Sequence, residues 1–301
     1  MRSSSILLLF SLLIGSWATP GAAEIDLKPG MIFEHFIKPG SLPTQIALPE
    51  GQWEVGAVKT TINNNSTLLL RAYLFQESEG KLSKFIWFNV SLDAADGGYV
   101  ESKYCSRDNM HYRKTLNNDV GGVQDCRWLN HRVQYWLDSK TDFARAFAQL
   151  VTKRKLLLPN HVLSVGYRIA DELSLLHVRY VFSPLMEGFK DHGRTQWIHS
   201  IWNKTSVASD PKKLAFVNRL KAWADEWYFR VKAGFDGKLT GTPKPISPPA
   251  ASPKTAVKSP LNGTEPSSVA DRLKKLDALL KQELISKQEY EQKRKEILKD
   301  L

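Results

Sequence analysis

The feature that most constrains the fold of this 301-residue chain is a proline-rich segment at residues 240–267. Its seven prolines alternate with Ser, Thr, Ala and Lys. Such a composition cannot bury a core, and the prolines keep the backbone extended and semi-rigid. The segment therefore predicts a globular body at residues 24–239, a linker at 240–267 and a small C-terminal unit at 268–301, with a separate leader at 1–23.

The body carries the sequence patterns of an α+β fold. The chain is 42% hydrophobic and long enough for one sizeable core. β-Rich runs separated by short turns favour antiparallel strands, and Asp210-Pro211 is a typical helix start. We expect an antiparallel β-sheet packed by helices on one or both faces, followed by the Pro-rich linker and a small C-terminal two-helix hairpin. The predicted strands are 52–62, 67–76, 83–92, 126–137, 162–169 and 173–182, the predicted helices are 141–155 and 211–234, and 99–125 is predicted to be a polar, turn-rich loop.

The N-terminus has the three parts of a secretory signal peptide. Met1-Arg2 is a basic start, residues 6–14 form an apolar stretch too short to span a bilayer comfortably, and residues 21–23 are small. We expect cleavage near Ala23, which places the mature protein in the periplasm or outside the cell without a transmembrane segment. An uncleaved anchor is the alternative.

The only two cysteines, Cys105 and Cys126, lie in the part of the chain that would be exported. An even pair in an oxidising compartment predicts a disulfide. A reactive or metal-bound thiol pair is the alternative, but the spacing fits neither a C-x-x-C redox motif nor a zinc knuckle. We expect no metal and no cofactor.

A cluster of basic residues with nearby aromatic residues surrounds the cysteines, in a chain of formal net charge +11. Cations of this kind contact phosphate or sulfate, and aromatic rings stack on bases or sugars. The cluster indicates a candidate site for an anionic polymer or a membrane surface; the alternative is a disulfide-bonded polar loop whose charges face water. The candidate anion-binding residues are Arg107, His111, Arg113, Lys114, Arg127, His131 and Arg132.

The C-terminal segment has two stretches with helical periodicity. Apolar residues recur at steps of three or four in residues 269–280, and Ser286-x-x-Glu289 is a capping box that starts a second helix. Two such helices bury too little apolar surface to be stable alone. The predicted interaction face of the hairpin consists of Leu273, Leu276, Leu280, Tyr290, Ile297 and Leu298.

The pattern Leu273-x-x-Leu276, Leu279-Leu280, Leu284-Ile285-Ser286, Glu289-Tyr290, Lys293 and Ile297-Leu298 resembles the short C-terminal domain called SHOCT. That family is a two-helix tail at the ends of many otherwise unrelated bacterial proteins. The resemblance covers about a tenth of the chain and implies a bacterial exported protein whose tail mediates oligomerisation or docking, on itself or on another envelope protein. The alternative is a solvated, charged helix pair without a partner.

These features favour a non-enzymatic binding or scaffold protein of the periplasm or cell envelope. The sequence contains no H-E-x-x-H, G-x-S-x-G or paired-carboxylate signature. Two alternatives stay open. One is a periplasmic hydrolase that uses His111 or His131 with a nearby Asp; the other is a binder of anionic envelope polymers.

Overall fold

The computed structural model describes residues 26–63, 66–134 and 137–240. The predicted signal peptide, nearly all of the predicted linker and most of the predicted hairpin lie outside the described residues. The tail residues that are described are helical, and the Tyr290 hydroxyl donates a hydrogen bond of 2.7 Å to Oδ1 of Asp277. The described tail residues are Leu273, Asp277, Tyr290, Glu291, Arg294, Lys295 and Leu298.

The described residues form two antiparallel sheets. The small sheet pairs β2 (Phe36–Ile37) with β3 (Ile46–Ala47), and the other strands form one eight-stranded sheet. These are β1 (Ile32–Phe33), β4 (Trp53–Ile62), β5 (Leu68–Ser78), β6 (Lys81–Ser91), β7 (Tyr112–Asn118), β8 (Gln124–Val133), β9 (His161–Ala170) and β10 (Leu175–Phe182).

The described helices connect or cover these strands. They are α1 (Lys103–Ser106), α2 (Asp142–Lys153), α3 (Lys204–Ala208) and α4 (Pro211–Phe235), with 3₁₀ turns at Pro184–Glu187 and Trp197–His199. The Asp210 carboxylate accepts the backbone N–H groups of Lys212 and Lys213, which confirms the predicted helix start. No helix within the described ranges is both long and apolar enough to cross a membrane.

The large sheet consists of two meanders that meet at its centre. Its strand order is β1-β4-β5-β6-β10-β9-β8-β7, and every pair is antiparallel. The chain runs through β4, β5 and β6, crosses to the opposite edge at β7, and returns through β8 and β9 to pair β10 with β6. The predicted antiparallel sheet is therefore confirmed, and its central strands come from distant parts of the chain.

Helix α4 covers one face of the sheet, which we call the near face. Trp223 and Trp227 stack with ring centroids 5.5 Å apart, and both meet the ring of Tyr180 edge-on. The Tyr167 hydroxyl donates to the Ala224 carbonyl at 2.9 Å, so this buried phenol is satisfied. Burying each large aromatic side chain contributes roughly 4–6 kcal/mol, which makes this layer the main core of the body.

Helix α2 covers part of the opposite face, which we call the far face. Phe147 is fully buried there against Phe75 and Phe85. A Cβ atom on Gly56 would lie 2.6 Å from the Phe147 ring, so the glycine is what allows this close approach. Helices thus pack on both faces. Because α2 has only 12 residues, it does not extend over the centre of the far face.

The structure corrects the prediction for residues 99–125. Instead of a continuous loop, this stretch contains α1 and the edge strand β7. The sequence of β7 is almost entirely polar (YRKTLNN), because an edge strand pairs on one side only and most of its side chains face water. The sequence of β7 therefore lacks the alternation of apolar and polar residues by which a strand is predicted. The neighbouring strand β8 ends at Val133, four residues before the predicted end.

Candidate anion-binding site

Strand register brings a row of polar side chains together on the far face. Arg71 of β5 lies beside Asn89 of β6, and Asn89 lies beside His177 of β10. Arg168 of β9 continues the row beyond His177, and Lys59 of β4 extends it at the other end beside Arg71. The row contains four basic residues and no acid.

The next row along the strands is aromatic, with one arginine at its centre. Tyr73 lies beside Trp87, and Trp87 lies beside Arg179. Gly166 separates Arg179 from Trp128, and a Cβ atom on this glycine would lie 2.3 Å from the Trp128 indole. The missing side chain lets the indole lie flat across β9. The two rows form a patch of cations and rings.

The arginines of this patch have no carboxylate partner among the described residues. Arg71, Arg132, Arg168 and Arg179 define what we call the arginine face. Arg168 is held by neutral groups, the side-chain oxygen of Gln124 at 2.6 Å and a backbone carbonyl at 3.0 Å. The arginines that do form ion pairs in the described ranges all lie elsewhere, at Arg113, Arg127, Arg145, Arg154, Arg194 and Arg219.

The pKa values of the buried groups show the effect of these unpaired positive charges. Burial, followed by the charge of Arg132, lowers the pKa of Arg179 to about 10. Burial, followed by the charges of Arg179, Arg168, Arg132 and Arg71, holds the pKa of His177 well below its ordinary value. Each positive charge thus raises the energy of the others, and an anion bound here would be stabilised by all of them.

The ring of Tyr104, in α1, covers part of the patch. Its ring stacks on Trp128 with centroids 4.9 Å apart, and the Arg179 guanidinium lies 4.5 Å from the centroids of both Tyr104 and Trp87. Burial alone would raise the pKa of Tyr104, but the charges of Arg179 and Arg132 outweigh burial, so its pKa lies below the ordinary value.

The disulfide fixes the position of Tyr104. Cys105, next to Tyr104 in α1, is bonded to Cys126 of β8, with Cα atoms 5.6 Å apart. The Thr115 hydroxyl also donates to the Cys105 carbonyl at 2.7 Å. A four-residue helix cannot be stable alone, so the covalent bond fixes α1 against β8. The predicted cysteine pairing is confirmed, and it positions a ring of the site.

A cavity of about 290 Å³ opens where the arginine face meets the 3₁₀ turn at Trp197–His199. Arg132 and Ser164 line it from the sheet, and Arg107 lies over the Trp197 ring at 5.8 Å. His131 lines it as well, with its ring stacked on Trp197 at a centroid distance of 4.4 Å. The cavity is therefore basic and aromatic, like the adjoining face.

The structure separates the basic residues that the sequence grouped together. Of the predicted set, Arg107 and Arg132 reach the cavity, while Lys114 is exposed on the edge strand. Arg113 pairs with Asp108 at 3.2 Å. These differences arise because alternate residues of β7 and β8 point to opposite faces of the sheet.

Arg127 points to the near face and holds α4. Its Nε donates to Oδ1 of Asp225 at 2.6 Å, and the Tyr112 hydroxyl donates to the same oxygen at 2.5 Å. The guanidinium also lies 4.4 Å from the centroid of the Tyr228 ring. A guanidinium with this many partners is already satisfied, so Arg127 stabilises the fold and is not available to a ligand on the far face.

The two histidines of the predicted set are buried and neutral. Nε2 of His111 lies 2.9 Å from the Trp202 carbonyl, and Nε2 of His131 lies 3.0 Å from the Trp197 carbonyl. Burial is the main reason that the pKa of His111 falls to about 3 and that of His131 to about 4. Their hydrogen-bond partners are carbonyl oxygens rather than carboxylates, so neither ring is arranged as a base oriented by an acid.

The carboxylates that could have oriented these two histidines have other partners. Asp125 accepts a hydrogen bond of 2.6 Å from Tyr228, and Asp108 pairs with Arg113. Asp191 accepts hydrogen bonds from Asn160, at the turn that precedes β9. Across the ranges that the structure describes, no three His, Cys, Asp or Glu side chains are grouped to hold a metal ion.

Sequence reasoning missed Arg71, Arg168 and Arg179, because they lie far from the cysteines along the chain. One signal was present. Arg71 interrupts the run LLLRAYLF, which is otherwise apolar, and Arg179 interrupts LLHVRYVF, which is apolar apart from Arg179 and His177. An arginine in the middle of a central strand must be partnered or serve a ligand, and such positions merit inspection in a sequence.

Comparison of the chain with protein-family models, with curated proteins and with solved structures finds no match.

Proposed function

We propose that this protein is a non-enzymatic binding protein of the cell envelope, whose body binds an anionic polymer along the arginine face. The observation that carries this proposal is the set of four arginines on one sheet face with no carboxylate partner in the described ranges. Burying unpaired cations costs free energy. A face that keeps them is suited to a ligand that supplies the opposite charge.

The extent of the cationic surface favours a polymer over a single small ion. From Lys59 on β4 to Arg132 on β8, the far face crosses six neighbouring strands. At ~4.8 Å between strands this is roughly 24 Å, which exceeds the size of one sugar or phosphate group. Aromatic side chains between the cations provide surfaces on which sugar rings or bases stack.

The hydrolase alternative receives less support from the geometry. His111 and His131 donate to carbonyl oxygens, and their pKa values of about 3 and 4 leave them neutral at pH 7 with little basicity. We therefore propose binding as the function of this part of the molecule.

The test is the affinity of the full chain for immobilised dextran sulfate, with neutral dextran as the matched control. With four arginine contacts, at about −0.7 per contact, we expect log K to fall with log salt at a slope of about −3, and neutral dextran to show no binding. Arg179→Gln should weaken binding and reduce the slope, whereas Arg145→Gln, on an exposed ion pair of α2, should change neither. Salt-independent binding, or equal losses in both variants, would refute the proposal.

The tail adds a second element to this proposal. A two-helix unit that cannot bury its apolar face alone gains stability by pairing with a second copy or with another envelope protein, and a linked tail would make weak polymer binding multivalent. Light scattering of the full chain and of its Leu276→Asp variant at tens of micromolar tests this. We expect an oligomer that the substitution dissociates; equal, monomeric masses would count against self-association.

A further inference from the structure

Residues 190–199, which we call the strap, form a surface segment beside the end of β8 and the start of β9. None of these residues is buried. The strap is anchored on one side by Phe189 and on the other by Trp202, whose rings pack edge-on with centroids 4.9 Å apart. Between these anchors the Trp197 indole donates to the His131 carbonyl at 3.1 Å. A segment that is fixed at both ends and exposed along its length can detach without unfolding the body.

Two buried histidines are hydrogen-bonded to the strap. His131 and His161 are each 2% exposed, and strand register places both rings on the near face. Nε2 of His131 lies 3.0 Å from the Trp197 carbonyl, and the two rings stack at a centroid distance of 4.4 Å. Nε2 of His161 lies 3.4 Å from the hydroxyl oxygen of Thr195. Both imidazoles thus contact the strap, so detaching it would expose them to water.

The charged groups around these two rings are mostly basic. Within the described ranges, Asp191 is the only carboxylate within 4 Å of a nitrogen of either ring, with its Oδ1 3.8 Å from Nδ1 of His161. The two rings repel each other when both are charged. Their other titratable or charged neighbours are two histidines and one arginine: His111, His192 and Arg107.

Protonation of the two rings favours the detached strap. Burial lowers the pKa of His131 from 6.5 to about 4. Burial also lowers the pKa of His161, although the charge of Asp191 acts in the opposite direction. With the strap detached, both rings meet water and their pKa values return towards the ordinary value. The attached state therefore binds fewer protons between pH 6.5 and pH 4, so a fall in pH through this window shifts the strap towards detachment.

We infer that the strap is released by acid: its hydrogen bonds to His131 and His161 hold it at neutral pH, and protonation of the two rings detaches it. Release moves Trp197, which lines the cavity beside Arg132 and lies against the Arg107 guanidinium. An anionic polymer then loses contacts at that end of the arginine face, a consequence that rests on the proposed function. The release itself does not depend on the proposed function.

The experiment follows two indole N–H groups of the full chain by NMR at pH 7 and pH 5. The Trp197 indole is bonded to the strap's partner strand, and the Trp53 indole, bonded to the Pro49 carbonyl at 2.8 Å on the distant strand β4, is the matched control. From His131 alone, the opening constant should rise about 20-fold between pH 7 and pH 5. Exchange of the Trp197 indole N–H, corrected for its intrinsic rate, should rise by at least this factor, while the Trp53 indole stays protected. Unchanged protection of Trp197, or an equal rise for both indoles, would overturn the inference.

A double variant tests the role of the two histidines. His131→Gln combined with His161→Gln keeps an amide donor at each position but removes the titration. This variant should show no rise in Trp197 exchange at pH 5, whereas His192→Gln, at an exposed position, should behave like the wild type. Acid release in the double variant would count against the inference. If the double variant does not fold, the two indoles of the wild type still decide it.

Dextran sulfate, whose charge is constant between pH 7 and pH 5, tests the consequence for binding. The wild type should bind it about tenfold more weakly at pH 5, the loss expected for one charged hydrogen bond, and the double variant should bind equally at both pH values. If Trp197 is released but the affinity is unchanged, the strap inference holds and its coupling to the arginine face is wrong. If dextran sulfate does not bind at pH 7, the proposed function is wrong, and the two indoles still decide the strap.

Discussion

Removing Arg179 should make the protein more stable, although removing a buried side chain usually does the opposite. Burial, followed by the charge of Arg132, lowers the pKa of Arg179 from 12.5 to about 10, which corresponds to ~3 kcal/mol against the charged form. Arginine is protonated in both the folded and the unfolded chain at pH 7, so this whole difference opposes folding.

Part of that destabilisation is offset in the native protein. The guanidinium lies 4.5 Å from the ring centroids of Trp87 and Tyr104, and two such cation–π contacts return roughly 1 kcal/mol each. Methionine has a similar unbranched shape and packs against aromatic rings. The net expectation for Arg179→Met is a gain of ~1 kcal/mol, or about 2–4 °C in Tm for a body of this size.

The matched control is Arg127→Met on the near face. Arg127 is hydrogen-bonded to Asp225 and packed on Tyr228, so the same substitution there should cost about 2 kcal/mol. Urea unfolding of both variants at pH 7 shows whether each substitution raises or lowers the free energy of unfolding. If Arg179→Met lowers stability by as much as Arg127→Met, the arginine face is not electrostatically strained and the reasoning is wrong.

Three further predictions concern the core, the disulfide and the sheet. His111 and His131 have pKa values of about 3 and 4 in the fold, below 6.5 in the unfolded chain, so their contribution is present above pH 6.5 and is lost as pH falls towards 4 and 3. The contribution of each histidine to the free energy of unfolding should fall by ~2 kcal/mol between pH 7 and pH 5. Equal urea midpoints at the two pH values would contradict this. Reduction of the disulfide should cost about 3 kcal/mol and weaken dextran sulfate binding, because α1 is no longer held; unchanged binding after confirmed reduction would disprove that positioning role. Gly166→Ala places a Cβ atom 2.3 Å from the Trp128 indole, so it should destabilise the fold by more than ~1 kcal/mol in thermal unfolding, whereas Gly193→Ala, with open space around it and no positive φ, serves as a surface comparison.

The parts of the fold that depend on local pattern could be predicted. The strands near residues 53–62, 68–78 and 81–91 alternate clearly or lie between turn residues, and the Asp210-Pro211 helix start has a local chemical cause. The disulfide followed from the number of cysteines. Edge strand β7 was missed because its side chains face water, and a strand without apolar alternation looks like a loop.

The candidate site was predicted only in part. Arg107 and Arg132 belong to it, and both lie near the cysteines in the sequence. Arg127 lies equally near, yet a single-residue step along β8 turns it to the opposite face, where it pairs with Asp225. Sequence distance identified the neighbourhood of the site, and side-chain direction decided which residues belong to it.

The sequence by itself determined the α+β class, the paired cysteines, the basic character of the chain and the positions of its main strands, because these depend on composition and on contacts between near neighbours. Only the tertiary structure decided that β10 pairs with β6. That pairing places Arg71 and Arg179, more than a hundred residues apart, in adjacent rows of one sheet face. Long-range register is fixed by the packing of the whole core, and no local pattern encodes it.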